Sequence, residues 1–284
     1  MVETADGARL DEDGMDPWSA NALIATLGLD RPAFEAGDPL PPFWHWLHFR
    51  EAAPRSALGR DGHPAPGWSI PATGLPRRMW AGGRLVFPGP LPLGAPARRR
   101  SRSLGVTNKT GRSGPLAFVT MQHDIEGPDG LAVREAQDLV YREDWQPGTP
   151  PPATRSAPIL PPDGLSRGWQ LNATALFRYS ALTFNGHRIH YDLAYAREVE
   201  GYQGLVVHGP LLATLMLELA REAEPGRMRA FRGRFAFRAA SPVFADEPFT
   251  VAGHARDRGL TLWVAGGDGR LAMTGDLDWA AEAL

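Results

Sequence analysis

Between Asn185 and His190 the chain reads Asn-Gly-His-Arg-Ile-His, which sets an amide and three titratable or cationic side chains within six positions. The flanks, Tyr179-Ser-Ala-Leu-Thr-Phe184 before it and Leu193-Ala-Tyr-Ala196 after it, are far less polar. Imidazole titrates near neutrality, so His190 can take a proton and return it within one turnover. Downstream, Gly204-Leu-Val-Val-His-Gly-Pro210 leads into the apolar run Leu211-Leu-Ala-Thr-Leu-Met-Leu-Glu-Leu-Ala220, which places Gly209 and its backbone N–H at a helix N-terminus. A histidine base facing such a donor is equipped for carbonyl chemistry, because the helix end can hold the charge that develops on the oxygen.

The same residues admit plainer readings. A lone histidine on an apolar background is most often a satisfied core residue, and Asn185 alone would be a turn residue before Gly186. His187, His190, Asp192 and His208 also read as a metal set, but His-x-x-His-x-Asp falls on a predicted loop with no confirming carboxylate frame, so no metal site is expected. The absence of cysteine excludes disulfides, thiolate metal sites and a cysteine nucleophile.

The elements that must position these groups show themselves as a repeat. Gly83-Arg84 begins an apolar strand, Leu85-Val-Phe87, and reaches Pro92-Leu93; Gly233-Arg234 begins Phe235-Ala-Phe237 and reaches Pro242-Val243 at the same offset. Further strands are predicted over Ala97 to Thr107, Pro115 to His123 and Ala132 to Tyr141 in the first half. The second half offers Pro248 to Asp257, Leu260 to Ala265 and Leu271 to Trp279. Asp129-Gly130 and Asp268-Gly269 are hairpin turns. Each half has a helix before its strands. Asp16 caps the first, Pro17 opens it and Gly28 stops it; the second starts at Pro210, is apolar on most of its circumference and is therefore expected inside a wrapped sheet. The Trp145 to Asp163 stretch is proline-rich and reads as a semi-rigid linker. The division expected is 1–145, a linker at 146–164, and 165–284.

With 284 residues, 43% hydrophobic, the chain can fill a core of this size. A net charge of -2 gives no reason to expect nucleic acid or a membrane surface as partner. The acidic start, Met1-Val-Glu-Thr-Ala-Asp, has no apolar signal region, and no run approaches a membrane span, so a cytoplasmic location is expected. The 27 prolines and 32 glycines suit short strands and loops better than a helical bundle.

The run from Ser180 to Ala196, together with Gly204-Leu-Val-Val-His-Gly-Pro-Leu211, resembles the double hot dog (MaoC-like) hydratases and dehydratases of acyl thioesters. Within that group the similarity runs to the itaconyl-CoA and mesaconyl-C4-CoA hydratases and to the related mitochondrial 3-hydroxyacyl-thioester dehydratase. The first half is similar in layout, including Lys109-Thr-Gly-Arg-Ser-Gly-Pro-Leu-Ala-Phe-Val119. The wider family carries Asp-x-Asn-Pro-(Ile/Leu)-His, whose Asp and His are the catalytic pair. On this chain the Asp position falls on Asn185 and the His on His190, so the histidine is kept and the carboxylate is not.

The resemblance implies an α+β architecture of two fused hot dog units, each a central helix held in a curved antiparallel sheet, packed sheet to sheet as a pseudo-dimer. It implies a hydro-lyase that hydrates a short enoyl-CoA, with a branched carboxylated acyl group such as mesaconyl-C4-CoA or itaconyl-CoA favoured, and the catalytic motif in the second unit at the seam. His190 would be the base, Asn185 the holder of the attacking water, and the Gly209 N–H the donor to the thioester oxygen. Arg188 or Arg178 would pair with the acyl carboxylate; an ion pair of Arg188 with Asp192 or Glu198 is the competing reading. His187 and His208 complete the expected substrate-binding set. No cofactor is expected beyond the coenzyme A of the substrate.

Arg98-Arg-Arg-Ser-Arg102, Arg77-Arg78 and Lys109/Arg112 are basic runs that could meet the coenzyme A phosphates or simply protect a strand edge. Phe43-Trp-His-Trp-Leu-His-Phe49 would lie over a substrate tunnel or in the core. Two other functions stay open: dehydration of 3-hydroxyacyl thioesters on an acyl carrier protein, which asks for a longer apolar tunnel, and a non-catalytic thioester-binding or scaffold subunit. Association into a homodimer of pseudo-dimers is left open.

Overall fold

The computed structural model describes residues 7–65, 69–111, 114–149 and 153–280 and the backbone of 2–3. The N-terminal unit holds β1 (Val2–Glu3), β2 (Arg9–Asp13), helix α1 (Pro17–Leu27) and the long strands β3 (Arg77–Phe87), β4 (Ala97–Gly111), β5 (Gly114–Gly127) and β6 (Gly130–Arg142). The C-terminal unit holds β7 (Leu165–Gln170), α2 (Ala173–Thr183), α3 (Leu193–Glu198), α4 (Gly209–Ala223) and, after a short helix, β8 (Gly233–Ala239), β9 (Pro248–Arg256), β10 (Gly259–Gly266) and β11 (Leu271–Trp279). All eleven strands form one antiparallel sheet in the order β1-β2-β4-β5-β6-β3-β8-β11-β10-β9-β7.

The units therefore join edge to edge, through a β3–β8 ladder, rather than by packing one sheet upon the other. In that ladder Gly83 faces Phe237, Leu85 faces Phe235 and Phe87 faces Gly233. The two repeat segments thus pair with each other about Leu85 and Phe235, which occupy equivalent places in the repeat. A pseudo-two-fold axis runs through that pair, as the symmetry of paired copies requires.

Local sequence accounts for both expected helices. Asp16 accepts from the Trp18 N–H (2.9 Å) at the start of α1, and Gly28 ends it in the left-handed conformation (φ 62°). In α4 every residue from Pro210 to Ala220 is buried, and β7, β9, β10 and β11 pack against it. Glu218, the one charged residue in that stretch, is bonded by Arg221 (2.8 Å) and faces Arg31 of the N-terminal unit (3.6 Å). Helix α1 buries only Ser19, Ala20, Leu23 and Leu27, and packs on α2 and on a 3-10 turn at Trp44–Leu47. Phe43, Trp44 and Leu47 are fully buried, so the aromatic cluster is core. At its edge Trp46 donates to Glu135 (3.1 Å) and lines a cavity.

The basic run at the start of β4 has acidic partners. Strand β2 lies beside it in register, Asp11 opposite Arg99 and Glu12 opposite Arg98, and the side chains pair at 2.9 and 3.0 Å. Arg77 is buried in an ion pair with Glu200 of the other unit (2.6 Å). Lys109 lies over the Phe118 ring, and Arg112 is outside the described residues. The proline-rich segment is anchored as well, with Leu271 N–H donating to Arg155 (2.7 Å) and Ala157 N–H to Gly269 (2.9 Å) on the β10–β11 hairpin. Among the described residues no helix is long and apolar enough to cross a membrane.

Candidate active site

Helix α2, not anticipated from sequence, aims the polar segment. Asn172 caps its start, its side chain accepting from the Ala175 N–H (3.0 Å). Phe184 ends it with φ 51°, a left-handed value that a bulky residue adopts only where its surroundings hold it. The reversal returns the Asn185 N–H to Ser180 O (2.8 Å) and turns the Asn185 side chain inward, where its oxygen accepts from the His187 N–H (3.0 Å). A 3-10 turn, Arg188–His190, follows.

His190 is held from two sides. Its Nδ1 donates to Val206 O (2.7 Å), which fixes the tautomer and leaves Nε2 with a free lone pair. Its ring stacks on His208 at 3.5 Å between centroids, 18° from parallel. Burial pushes the His190 imidazole down to about 3, against a smaller opposing effect of the Val206 carbonyl, so the ring stands neutral with Nε2 unprotonated. His208 is fully buried behind it, its Nε2 2.8 Å from Ser180 Oγ, and burial holds it far below its ordinary range.

His190 and the Gly209 end of α4 line one cavity of about 1440 Å³ that runs across both units. As the first helical residue, Gly209 has an N–H with no acceptor inside the helix, and Pro210 has none to offer. A Cβ at Gly209 would run into the Trp80 ring of β3, so only glycine lets the other unit close over this helix end. The free donor, the helix dipole and the lone pair of His190 open into the same space, which is the arrangement that enolate formation from a thioester requires.

Of the seven residues singled out from sequence, Asn185, His187, His190 and Gly209 line this cavity. Three do not. His208 is behind His190, as above. Arg178 sits on the exposed side of α2. Arg188 points away and is engaged: Asp192 accepts from its Nε (3.0 Å) and Nη2 (2.7 Å), and its guanidinium lies over the Tyr195 ring. The competing ion-pair reading of Arg188 thus describes its observed contacts, because Asp192 lies one helical turn on.

Sequence reasoning missed the contribution of the N-terminal unit. A loop at 59–64 brings Asp61 and His63 against Asn185 and His187, with the His63 and His187 rings 4.4 Å apart. Asp61 Oδ2 is 3.2 Å from His63 Nδ1. Burial and the nearby Arg78 charge push His63 down to about 4, against Asp61. Among the described residues the donor atoms of Asp61, His63 and His187 lie within 4.8 Å of one another, so these three, and not the His187, His190, Asp192 and His208 set weighed and set aside from sequence, are the ones that could reach one metal ion. The only signal in the chain was local, an Asp-Gly-His turn before Pro64. Arg78 also lines the cavity, and among the described residues no carboxylate lies within ion-pair distance of it.

Comparison with known proteins places this geometry. The family model described as hydroxyacyl-thioester dehydratase type 2 matches residues 43–245. The chain is 46% identical over 270 residues to the mesaconyl-C(4)-CoA hydratase of Chloroflexus aurantiacus, covering 94% of this chain and 93% of that one. It is 29% identical over 238 residues to the mitochondrial hydroxyacyl-thioester dehydratase type 2 of Schizosaccharomyces pombe, covering 75% and 77%. A Mycobacterium tuberculosis protein described as a double hotdog fold superposes with a TM-score of 0.61 at 14% identity, over 98% of this chain and 96% of that one.

Proposed function

The chain belongs to the hydroxyacyl-thioester dehydratase type 2 family, and from that footing we propose that it is a hydro-lyase that reversibly hydrates a short, branched, carboxylated enoyl-CoA of the mesaconyl-C4-CoA or itaconyl-CoA kind. The observation that carries this reading is the neutral His190, its Nε2 free, sharing a cavity with the N-terminus of α4.

In the hydration direction His190 Nε2 takes a proton from water as the oxygen bonds to the β carbon. The π electrons move toward the thioester oxygen, which the Gly209 N–H and the helix dipole stabilise. The same imidazole then returns the proton to the α carbon, and C=C has become HC–C–OH. Asn185 cannot take a proton and holds the water or hydroxyl. His208 keeps the His190 ring in place by stacking. No cofactor enters beyond the coenzyme A of the substrate.

The acyl carboxylate in mesaconyl-C4-CoA is attached to the β carbon itself, so its partner has to sit beside the reacting groups. Arg78 supports that role better than Arg188 or Arg178, since it lines the cavity and its charge is felt at both His63 and His187. A guanidinium without a carboxylate of its own suits a carboxylated ligand. The cavity wall also favours a short acyl group over the long chain of a carrier-protein substrate: Ser101, His123, Glu135 and Gln137 stand where a fatty acyl tunnel would be apolar. A cytoplasmic location and a homodimer of pseudo-dimers complete the proposal.

Loss of the conjugated enoyl-thioester absorbance tests it with mesaconyl-C4-CoA and crotonyl-CoA in parallel; itaconyl-CoA, whose double bond is not conjugated to the thioester, is followed by chromatography of the hydrated product. Fast turnover of the carboxylated pair is expected, and His190→Ala should lower kcat by about a thousandfold, the scale of a general base. Arg78→Gln should slow the carboxylated substrates far more than crotonyl-CoA. Equal turnover of His190→Ala and wild type would overturn the mechanism; equal losses on all three substrates in Arg78→Gln would overturn the role of Arg78.

A further inference from the structure

Position 185 carries an amide where the hydratase motif has a carboxylate, yet a carboxylate reaches the site from the other unit. The loop at 59–63 docks on the polar segment through its backbone: Arg188 N–H donates to Asp61 O (2.9 Å), and Arg188 Nη1 donates to Arg60 O (3.2 Å). Gly62 is left-handed (φ 86°) and a Cβ there would run into Gly186 O, so the two segments touch at a pair of glycines.

Both oxygens of Asp61 are turned to His63. One accepts from its backbone N–H (3.1 Å) and the other lies 3.2 Å from its Nδ1. With Nδ1–H donating to Asp61, the ring presents Nε2 as an acceptor. The Gly62–Gly186 contact sets this ring beside Asn185, and His63 and Asn185 line the same cavity. The Asn185 side-chain oxygen is already used by the His187 N–H (3.0 Å), which leaves its NH₂ group as the part free to bond. His63 is largely buried, with 17% of its side chain exposed, and no other acid among the described residues lies within ion-pair distance of it.

We propose that Asp61 and His63 are positioning residues for Asn185: His63 Nε2 accepts one amide N–H, the His187 N–H holds the amide oxygen, and the second amide N–H is thereby aimed at the oxygen added to, or lost from, the β carbon. The inference rests on the reading above in taking Asn185 as the group that holds the water. It goes further in making the N-terminal unit part of the catalytic machinery. Through this relay the unit without the motif histidine sets the orientation of the residue that replaced the motif carboxylate.

The test is a double-mutant cycle on the full chain with mesaconyl-C4-CoA, accompanied by a folding check. His63→Leu is expected to lower kcat by about ten- to a hundredfold with KM nearly unchanged, the pattern of an interaction made at the reacting atoms. Asp61→Leu should match it, whereas Asp61→Asn, whose amide oxygen still accepts from Nδ1, should retain most of the rate. The variant with both Asn185→Ala and His63→Leu should be no slower than Asn185→Ala alone, because residues acting through one another do not add. Independent, multiplying losses would overturn the proposal, as would inhibition by EDTA reversed by Zn²⁺, which would make Asp61, His63 and His187 ligands. If His63→Leu does not fold, His63→Gln takes its place in the cycle. A readout without turnover stands beside these: the ¹⁵N shifts of His63 should report Nδ1–H in the wild type and change in Asn185→Ala, and an Nε2–H tautomer would overturn the relay. Wild-type protein inert on every enoyl thioester would instead remove the proposed function, leaving the tautomer result to decide the relay.

Discussion

In the C-terminal unit strands of six to nine residues curve around α4, fifteen residues long and buried from Pro210 to Ala220. In the N-terminal unit the long strands β3 to β6 run eleven to fifteen residues, and α1, eleven residues long and buried at four positions, packs on α2 and on the 3-10 turn at Trp44–Leu47. The longer strands thus go with the shorter helix, and part of their sheet lines the cavity with Ser101, His123 and Gln137. Two copies of one architecture have divided the work. One keeps its core helix buried and, in the proposed reaction, uses the helix end as a donor; the other supplies wall and loop residues to the cavity. Fold similarity alone would not predict that asymmetry, since function resides in the site and not in the architecture.

The sharpest way to break the comparison is to treat both helices alike. Ala213 in the middle of α4 is fully buried and Ala25 in α1 is exposed. Ala213→Glu should cost more than about 4 kcal/mol, since a carboxylate would be buried with no partner, and Ala25→Glu should stay within about 0.5 kcal/mol. Urea unfolding midpoints report both. Similar values would mean that α4 is not the enclosed helix described here.

The next effect sits where the units touch. Gly209→Ala drives a methyl group into the Trp80 ring, so either α4 or β3 must shift. The expected result is a fall in kcat of about a hundredfold, the scale of a lost oxyanion donor, with a stability loss of about 1–3 kcal/mol from overpacking. Adding Trp80→Ala should restore much of the stability while leaving kcat low. Recovery of both would place the catalytic donor elsewhere.

What the chain disclosed beforehand follows the same division. Strands β5 and β6, and likewise β10 and β11, are legible because Asp-Gly joins each pair; α1 and α4 are legible through Asp16, Pro17, Gly28 and Pro210. Strand β2 was not, because Arg9-Leu-Asp-Glu-Asp13 looks like a solvated acidic run until β4 lies beside it with Arg98 and Arg99 in register. Helix α2 was hidden by its own exposed residues, Phe177 and Arg178, which broke the apolar stripe. Arg178 and Arg188 are close in sequence to the motif but face outward, and Arg78 and His63 are far away in sequence but face inward. Proximity along the chain stood in for proximity in space, and it fails wherever two units build one site.

The smallest expected effect concerns charge. In the N-terminal unit His45 and His48 each face a carboxylate, Glu135 at 3.0 Å and Asp13 at 3.2 Å. In the C-terminal unit His208 faces the Ser180 hydroxyl and the His190 and Tyr179 rings, and among the described residues no carboxylate lies within ion-pair distance of it. Burial holds His208 far below its ordinary range, so the folded protein keeps it neutral while the unfolded chain protonates it near 6.5. Between these values the unfolded state binds more protons; stability therefore rises with pH across that window and is lost as pH falls through it. One pH unit below 6.5 each such histidine costs about 1.4 kcal/mol, and His187 and His190 add to His208 in the same direction. Urea midpoints at pH 7.5 and 5.5 should fall with acidity in the wild type. His208→Gln, which can still bond Ser180 but cannot titrate, should fall less by about that amount, whatever its stability at pH 7.5. An unchanged slope in His208→Gln would mean that His208 is charged in the folded protein, and the stacked pair behind the proposed base would then be an imidazole on an imidazolium, able to pass a proton rather than only to hold a ring.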